Sequence, residues 1–271
     1  MDFYMKGRKN SMKITAILGS PRKKGDCFNV IEMIEKSFNK VEETRIEYIY
    51  LNDIGLGFCK SCLLCYTKGE QYCPHKEVTT MLLNKMQESD VIIFASPVYE
   101  QQVTALMKNF YDNFSFLFHR PRFFDKKAIL VSSTGGSGLK GTLNYMKMNA
   151  IGWGFQISGT IGVCGATLRA DLIYKEEVQK NINHMIDDVF KNKKSSPSLY
   201  QLALFRAMQS KASGTGKKND ISYQYWKERD WFKKKYYTNA KISLFKEIYS
   251  HFIGILMKKM LSHRLIIINE N

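Results

Sequence analysis

Four of the six cysteines in this 271-residue chain fall within 15 residues, as Cys59-Lys-Ser-Cys62-Leu-Leu-Cys65 and then, after seven more residues, Cys73. A packed core has no need of that density. Thiolates at C-x2-C-x2-C-x7-C spacing can converge on one small centre. Three chemistries use such a set: an iron–sulfur cluster, a zinc ion held by four sulfurs, or a metal-free group of redox-active thiols. Lys60, Lys68, Lys76 and His75 stand nearby in sequence and would offset the negative charge of a thiolate-bound centre.

Three further segments could bind rather than react. Gly19-Ser20-Pro21-Arg22-Lys23-Lys24-Gly25, running into Asp26-Cys27-Phe28, separates an apolar run from a helical pattern. Backbone N–H groups at a helix start favour an anion, and Ser20 and Arg22 can add donors. The segment carries neither a G-x-G-x-x-G nor a GK[ST] pattern, so it is no dinucleotide fingerprint or P-loop. Pro97-Val98-Tyr99-Glu100-Gln101 supplies an aromatic side chain that can lie against a flat ring. Thr134-Gly135-Gly136-Ser137-Gly138 lets a ligand approach backbone closely. Each segment alone reads equally well as an ordinary turn; their order along the chain is the more specific signal. Cys164 ends an apolar run and reads as a core thiol. The histidines show no metal or triad spacing.

Apolar runs at residues 13–18, 46–51, 90–96, 127–133 and 155–163 read as strands, the third stopped by Pro97. Helical periodicity covers residues 27–38, 77–88, 105–118, 139–150 and 172–190. This alternation predicts an α/β fold with a parallel, doubly wound five-stranded sheet, in which ligands sit beyond the carboxyl ends of the strands. All three candidate segments follow strands, so they should meet at one edge of that sheet.

The expected organisation is an N-terminal extension (1–11), a sheet domain (12–192) and a basic, mainly helical C-terminal extension (193–271). Residues 193–198 read as a linker, 202–208 as a short helix, 211–219 as a loop and 242–261 as a basic amphipathic helix. The formal net charge is +16. Residues 196–271 hold 14 Lys/Arg against 5 Asp/Glu, an excess of nine. Such a tail suits an anionic partner or a solvated face, and its last helix suits peripheral contact with a membrane surface. No nucleic-acid-binding motif accompanies the charge. The tail's tryptophans and tyrosines could form a lid, or pack as a core or interface. No run approaches the ~18 apolar residues of a membrane span, and the polar N-terminus lacks the apolar centre of a signal peptide. A cytoplasmic protein is expected.

With these segments in place, the sequence resembles the flavodoxin-like NAD(P)H-dependent FMN reductases, and more narrowly their iron–sulfur flavoprotein branch. The resemblance rests on Gly19-Ser-Pro-Arg22, the cysteine motif, Ser96-Pro-Val-Tyr99 and Thr134-Gly-Gly-Ser-Gly138, and covers residues 12–188. It implies a flavodoxin-like sheet in 2-1-3-4-5 order and one FMN per subunit. Residues 20–28 would take the phosphate, with the isoalloxazine between residues 97–101 and 134–138. NAD(P)H would be the electron donor. The acceptor would be a quinone, a nitro or azo compound, or a protein reached through a [4Fe–4S] cluster on Cys59, Cys62, Cys65 and Cys73. The alternative is an electron carrier or redox sensor without a dedicated small substrate. A homodimer or homotetramer is implied. The chain departs from the family at Asp26-Cys27, where Asn-Thr is common, and at Glu100, where an aromatic is common. A carboxylate beside a phosphate is unfavourable unless it faces away, and Arg22, Lys23 and Lys24 can compensate by Coulomb attraction. A negative Glu100 near the flavin would lower its potential.

Overall fold

The computed structural model describes residues 12–190, 196–214 and 220–268. The expected extension at residues 1–11 and the first half of the expected linker, residues 193–195, lie outside these. Five parallel strands form the centre: β1 (Ile14–Leu18), β2 (Ile46–Tyr50), β3 (Val91–Tyr99), β5 (Lys127–Thr134) and β6 (Gln156–Cys164). A short antiparallel β4 (Gln102–Val103) folds back on β3. The order β2-β1-β3-β5-β6 is the doubly wound arrangement, with its switch point between β1 and β3.

Strands covered on both faces need unbroken apolar runs. All of β1 and most of β3 and β5 are buried. One core lies between the sheet and helices α1 (Asp26–Asn39) and α7 (Leu172–Phe190), around Ile34, Phe38 and Ile182. The other lies under α3 (Lys76–Glu88), α4 (Ala105–Asn113) and α5 (Leu139–Trp153), around Phe94, Phe110 and Trp153.

The structure corrects several boundaries. β3 continues through Pro97 to Tyr99. By then β1 has ended opposite Ala95, and Pro97 pairs only with Ser133 of β5. A missing N–H is tolerated where a strand has lost one neighbour. The predicted helix 105–118 is two pieces, α4 and a 3-10 turn at Ser115–Phe118. Two short helical pieces, α2 (Leu64–Thr67) and a 3-10 turn at Glu70–Tyr72, shape the cysteine loop. A six-residue α6 (Gly165–Ala170) follows β6.

In the C-terminal region, α8 (Leu199–Gly214) takes in residues 211–214, which read as a loop in the sequence. It is followed by α9 (Ile221–Glu228) and α10 (Leu244–Ile268). The aromatic segment is no lid. Phe205, Trp226, Trp231 and Tyr237 are buried in a core of their own, against which Phe124 of the sheet domain packs. α10 rests on α8. Ser250 is buried and Gly254 meets the Arg206 side chain, so small residues bring the two helices close. Leu244, Phe245, Ile248, Phe252 and Ile255 face outward. Among the described residues no helix is long and apolar enough to cross a membrane.

Candidate functional site

The three candidate segments meet at the carboxyl edge of β1, β3 and β5, and the structure ties them together. Gly19 N–H donates to Ala95 O at 2.8 Å. The Thr104 hydroxyl donates to Gly19 O at 2.6 Å and caps α4 by accepting from Met107 N–H. Thr104 N–H in turn donates to Ser96 Oγ. A Cβ on Gly19 would stand 2.7 Å from Met107 Cβ, so this close approach requires glycine.

In the first segment Ser20 is buried, and its hydroxyl both donates to Arg22 O and accepts from Arg22 N–H. It shapes the loop with the hydrogen bonds that the sequence had offered to a ligand. Lys23 turns away to an exposed ion pair with Asp53. Arg22, Lys24, Gly25, Asp26, Thr134 and Arg169 line an open pocket of about 350 Å³. α1 starts at this pocket with Gly25 as N-cap and no side chain bonded to its first turn. Asp26 is ion-paired with Arg169 and packed against Gly165. Three cations therefore stand against one carboxylate, a local excess of two positive charges, and an uncapped helix start points the same way. Cys27 is 2 % exposed, with its thiol 3.3 Å from Ser133 Oγ. Burial pushes that thiol up to about 11, partly offset by the Ser133 hydrogen bond. As a ligand donor Cys27 has only its backbone to offer. Phe28 packs on Tyr48.

The second and third segments are joined directly. Gln101 Nε2 donates to Ser137 Oγ at 2.7 Å. Glu100 and Gln101, at φ 43° and 63°, form the two-residue turn between β3 and β4. Two left-handed non-glycine residues cost on the order of 1–3 kcal/mol each, a strain that the tie to Ser137 helps to hold. Tyr99 is 42 % exposed at the tip, beside Val98. Thr134 Oγ1 donates to Ser137 O and accepts from Gly136 N–H. Gly135 and Gly136 open onto free space. Gly138 has φ 88°, and a Cβ there would meet Val98 at 2.7 Å and Gln101 at 3.1 Å.

The cysteines form a second centre. Cys59, Cys62, Cys65 and Cys73 line one cavity of about 60 Å³ with His75. Among the described residues no three Cys, His, Asp or Glu side chains converge on a single point suited to one metal ion. Ser61 and Leu63, flanking Cys62, are left-handed at φ 50° and 58°. Asn109 and Asn113, one turn apart on α4, grip the loop. Asn109 accepts from Cys59 N–H and donates to Leu56 O and Gly57 O, and Asn113 also donates to Gly57 O. His75 is half-buried. Its ring bonds Phe58 O at 3.0 Å, and its backbone N–H donates to Cys73 Sγ at 3.4 Å. The nearby lysines are exposed; the buried cation is Arg120, which donates to Cys65 O at 2.6 Å and to Glu70. Burial pushes the Cys65 thiol up to about 11, helped by the neighbouring cysteines and opposed by Arg120. Burial also disfavours a charged Glu70. A backbone N–H together with Arg122 and Arg120 outweighs it and holds the carboxyl below its usual range.

Cys164, read as a core thiol, is half-buried at the start of α6, where hydrogen bonds from Thr167 hold it below the ordinary thiol range. Sequence reasoning missed Arg169, Asn109, Asn113 and Arg120. The two asparagines had a signal: polar residues four apart on a helical stretch that also carries the core residue Phe110. Arg169 and Arg120 had none.

Residues 12–161 match the family NADPH-dependent FMN reductase. An iron–sulfur flavoprotein of Archaeoglobus fulgidus is 29% identical over 224 residues, 80% of this chain and 99% of that protein. One of Clostridioides difficile is 26% identical over 205 residues, covering 73% and 88% respectively. Among solved structures, an apo NADH:FMN oxidoreductase superposes with TM-score 0.50 at 19% identity, covering 69% of this chain and 92% of that one. A flavone reductase superposes at 0.52 and 17% identity, covering 67% and 64%.

Proposed function

Since this chain belongs to the NADPH-dependent FMN reductase family, we propose that its three strand-end loops hold FMN and that its cysteine loop holds an iron–sulfur centre, the two together serving electron transfer from NAD(P)H to an acceptor. The observation that carries this reading is the meeting of all three loops at one sheet edge, closed by the Gln101–Ser137 bond. FMN, when bound, supplies hydride acceptance from a nicotinamide and onward release of electrons.

The residues divide the work. Arg22, Lys24 and Arg169, with the uncapped start of α1, would hold the phosphate. The Arg169 pair removes the repulsion that Asp26 would otherwise exert. Tyr99 would lie against the ring, while the open backbone at Gly135 and Gly136 meets its polar edge. Gly138 keeps the two ring loops in contact. The donor set of the cysteine loop suits a cluster better than zinc. Zinc needs four sulfurs about 2.3 Å from one point, whereas here four thiols surround a cavity. A cluster spreads four thiolates over several irons. Exposure of Cys59 and Cys62 would present such a centre to a docking protein, which favours a protein acceptor over a small one. Electron delivery to that partner should then weaken as salt rises.

The test is an absorption spectrum of chain purified without air, with flavin, iron and sulfide assayed on one sample. One flavin and about four irons per chain are expected. Flavin without iron would refute the cysteine half, and failure of added FMN to bind would refute the whole.

A further inference from the structure

Segment 119–121 stands between the cysteine loop and the C-terminal extension, and α9 holds three residues in a row. Trp226 Nε1 donates to His119 O at 2.8 Å. The Arg120 guanidinium reaches Ser222 Oγ at 3.4 Å. The Tyr225 hydroxyl donates to Pro121 O at 2.7 Å. On its other side the same guanidinium holds Cys65 O at 2.6 Å and Glu70 at 3.1 Å. Arg120 is 1 % exposed, and its Nε has no hydrogen-bond partner. Such a residue is costly to bury: a desolvated guanidinium must be held by good geometry or it destabilises the fold. Glu70 does not cancel it, because the same carboxylate also accepts from Arg122 at 2.8 Å. Two arginines share one acid, which leaves a net positive charge beside the cysteine loop with little water to screen it.

We propose that Arg120 is a positioning residue for the cysteine centre, clamped from behind by α9, so that the C-terminal extension fixes both the shape of the loop and the potential at which the centre accepts an electron. This rests on the iron–sulfur reading above. Reduction adds negative charge to a thiolate-held centre. A fixed cation in a dry surrounding stabilises the reduced form more than the oxidised one, because Coulomb energy grows as the local dielectric falls. The exposed Lys60, Lys68 and Lys76 act through water and are screened. The tail is thereby a functional wall of the centre and not an appendage.

The experiment uses full-length protein with its iron–sulfur centre reconstituted without air, and reads the midpoint potential in wild type, Arg120→Gln and Arg120→Lys. Removing the charge should shift the electron-exchange equilibrium about tenfold against reduction, a fall of about 59 mV for one electron. Arg120→Lys keeps the charge and should restore most of that loss. An unchanged potential in Arg120→Gln, or equal falls in both variants, would overturn the proposal. Because either change could unfold the chain, a second arm pairs Ser222→Ala with Tyr225→Phe and follows amide hydrogen exchange in iron-free protein. Exchange across residues 64–73 should rise about tenfold on losing such bonds while 134–138 stay as they were. Unchanged exchange in 64–73 would refute the clamp. A wild type that takes flavin and no iron would refute the cluster reading and, with it, the control of potential, leaving the exchange arm to judge the clamp by itself.

Discussion

The strand-end edge and the cysteine loop are built in opposite ways. At the edge, the sheet does the positioning: loops leave β1, β3 and β5 at one end of it, Gly19 N–H bonds Ala95 O, and short-range side-chain ties from Thr104, Gln101 and Thr134 finish the arrangement. The cysteine loop has little regular structure of its own and is gripped by side chains from afar, namely Asn109, Asn113 and Arg120. A site placed by the ends of a buried sheet should survive the loss of one side-chain tie but fails where a Cβ intrudes. A site made of side-chain grips should fail one grip at a time.

The sharpest way to break the comparison is Gly138→Val. The new side chain would sit at φ 88° and collide with Val98 and the Gln101 backbone. FMN affinity should fall more than about a hundredfold, since clash and a β-branched left-handed residue cost several kcal/mol together. Iron content should hold. A fluorescence-quench titration beside an iron assay decides it; equal loss of both would mean the two regions are not independent.

Next is acid. Burial, with Lys211 and Arg120, lowers the His119 imidazole to about 4. Its folded value lies below its unfolded one of about 6.5. Stability from the neutral ring is therefore full above pH 6.5 and is lost as pH falls towards 4, by about 3 kcal/mol. His119 packs on Tyr66 of the cysteine loop. Exchange protection there should fall first, ahead of the strand-end loops, and His119→Gln should flatten the dependence. A simultaneous loss in both regions would count against the comparison.

Asn109→Ala removes the bonds to Leu56, Gly57 and Cys59, leaving Asn113 to hold Gly57 O alone, at a cost of about 2 kcal/mol. Iron uptake should drop while FMN binding holds, a prediction that fails if the iron content matches wild type. The smallest effect belongs to Glu100→Gln. An exposed charge is worth under about 1 kcal/mol, so the two-electron flavin potential should rise by less than about 30 mV. An unchanged potential would place Glu100 away from the ring.

The same contrast explains what the sequence disclosed. Unbroken apolar strands are visible one residue at a time, and each candidate loop follows a strand, so the sheet edge and its loops could be read in advance; the order of the strands came from the family resemblance. Pro97 misled because proline usually ends a strand; that β1 has already ended beside it is a tertiary fact. The cysteines announced themselves by spacing, yet their grips did not, because Arg120 lies 55 residues beyond Cys65. Arg169, 143 residues from Asp26, escaped for the same reason. Pairings of that range leave no local pattern.

The six cysteines are graded by depth, and that grading forecasts how the molecule ages in air. Cys27 is sealed and kept protonated, a poor target for peroxide. Cys59 and Cys62 stand outermost. Oxygen would meet them before it meets anything that supports the fold, turning thiols to sulfenic acid or to a disulfide. An aerated preparation should therefore keep its sheet, its melting behaviour and its flavin long after the cysteine centre has fallen silent.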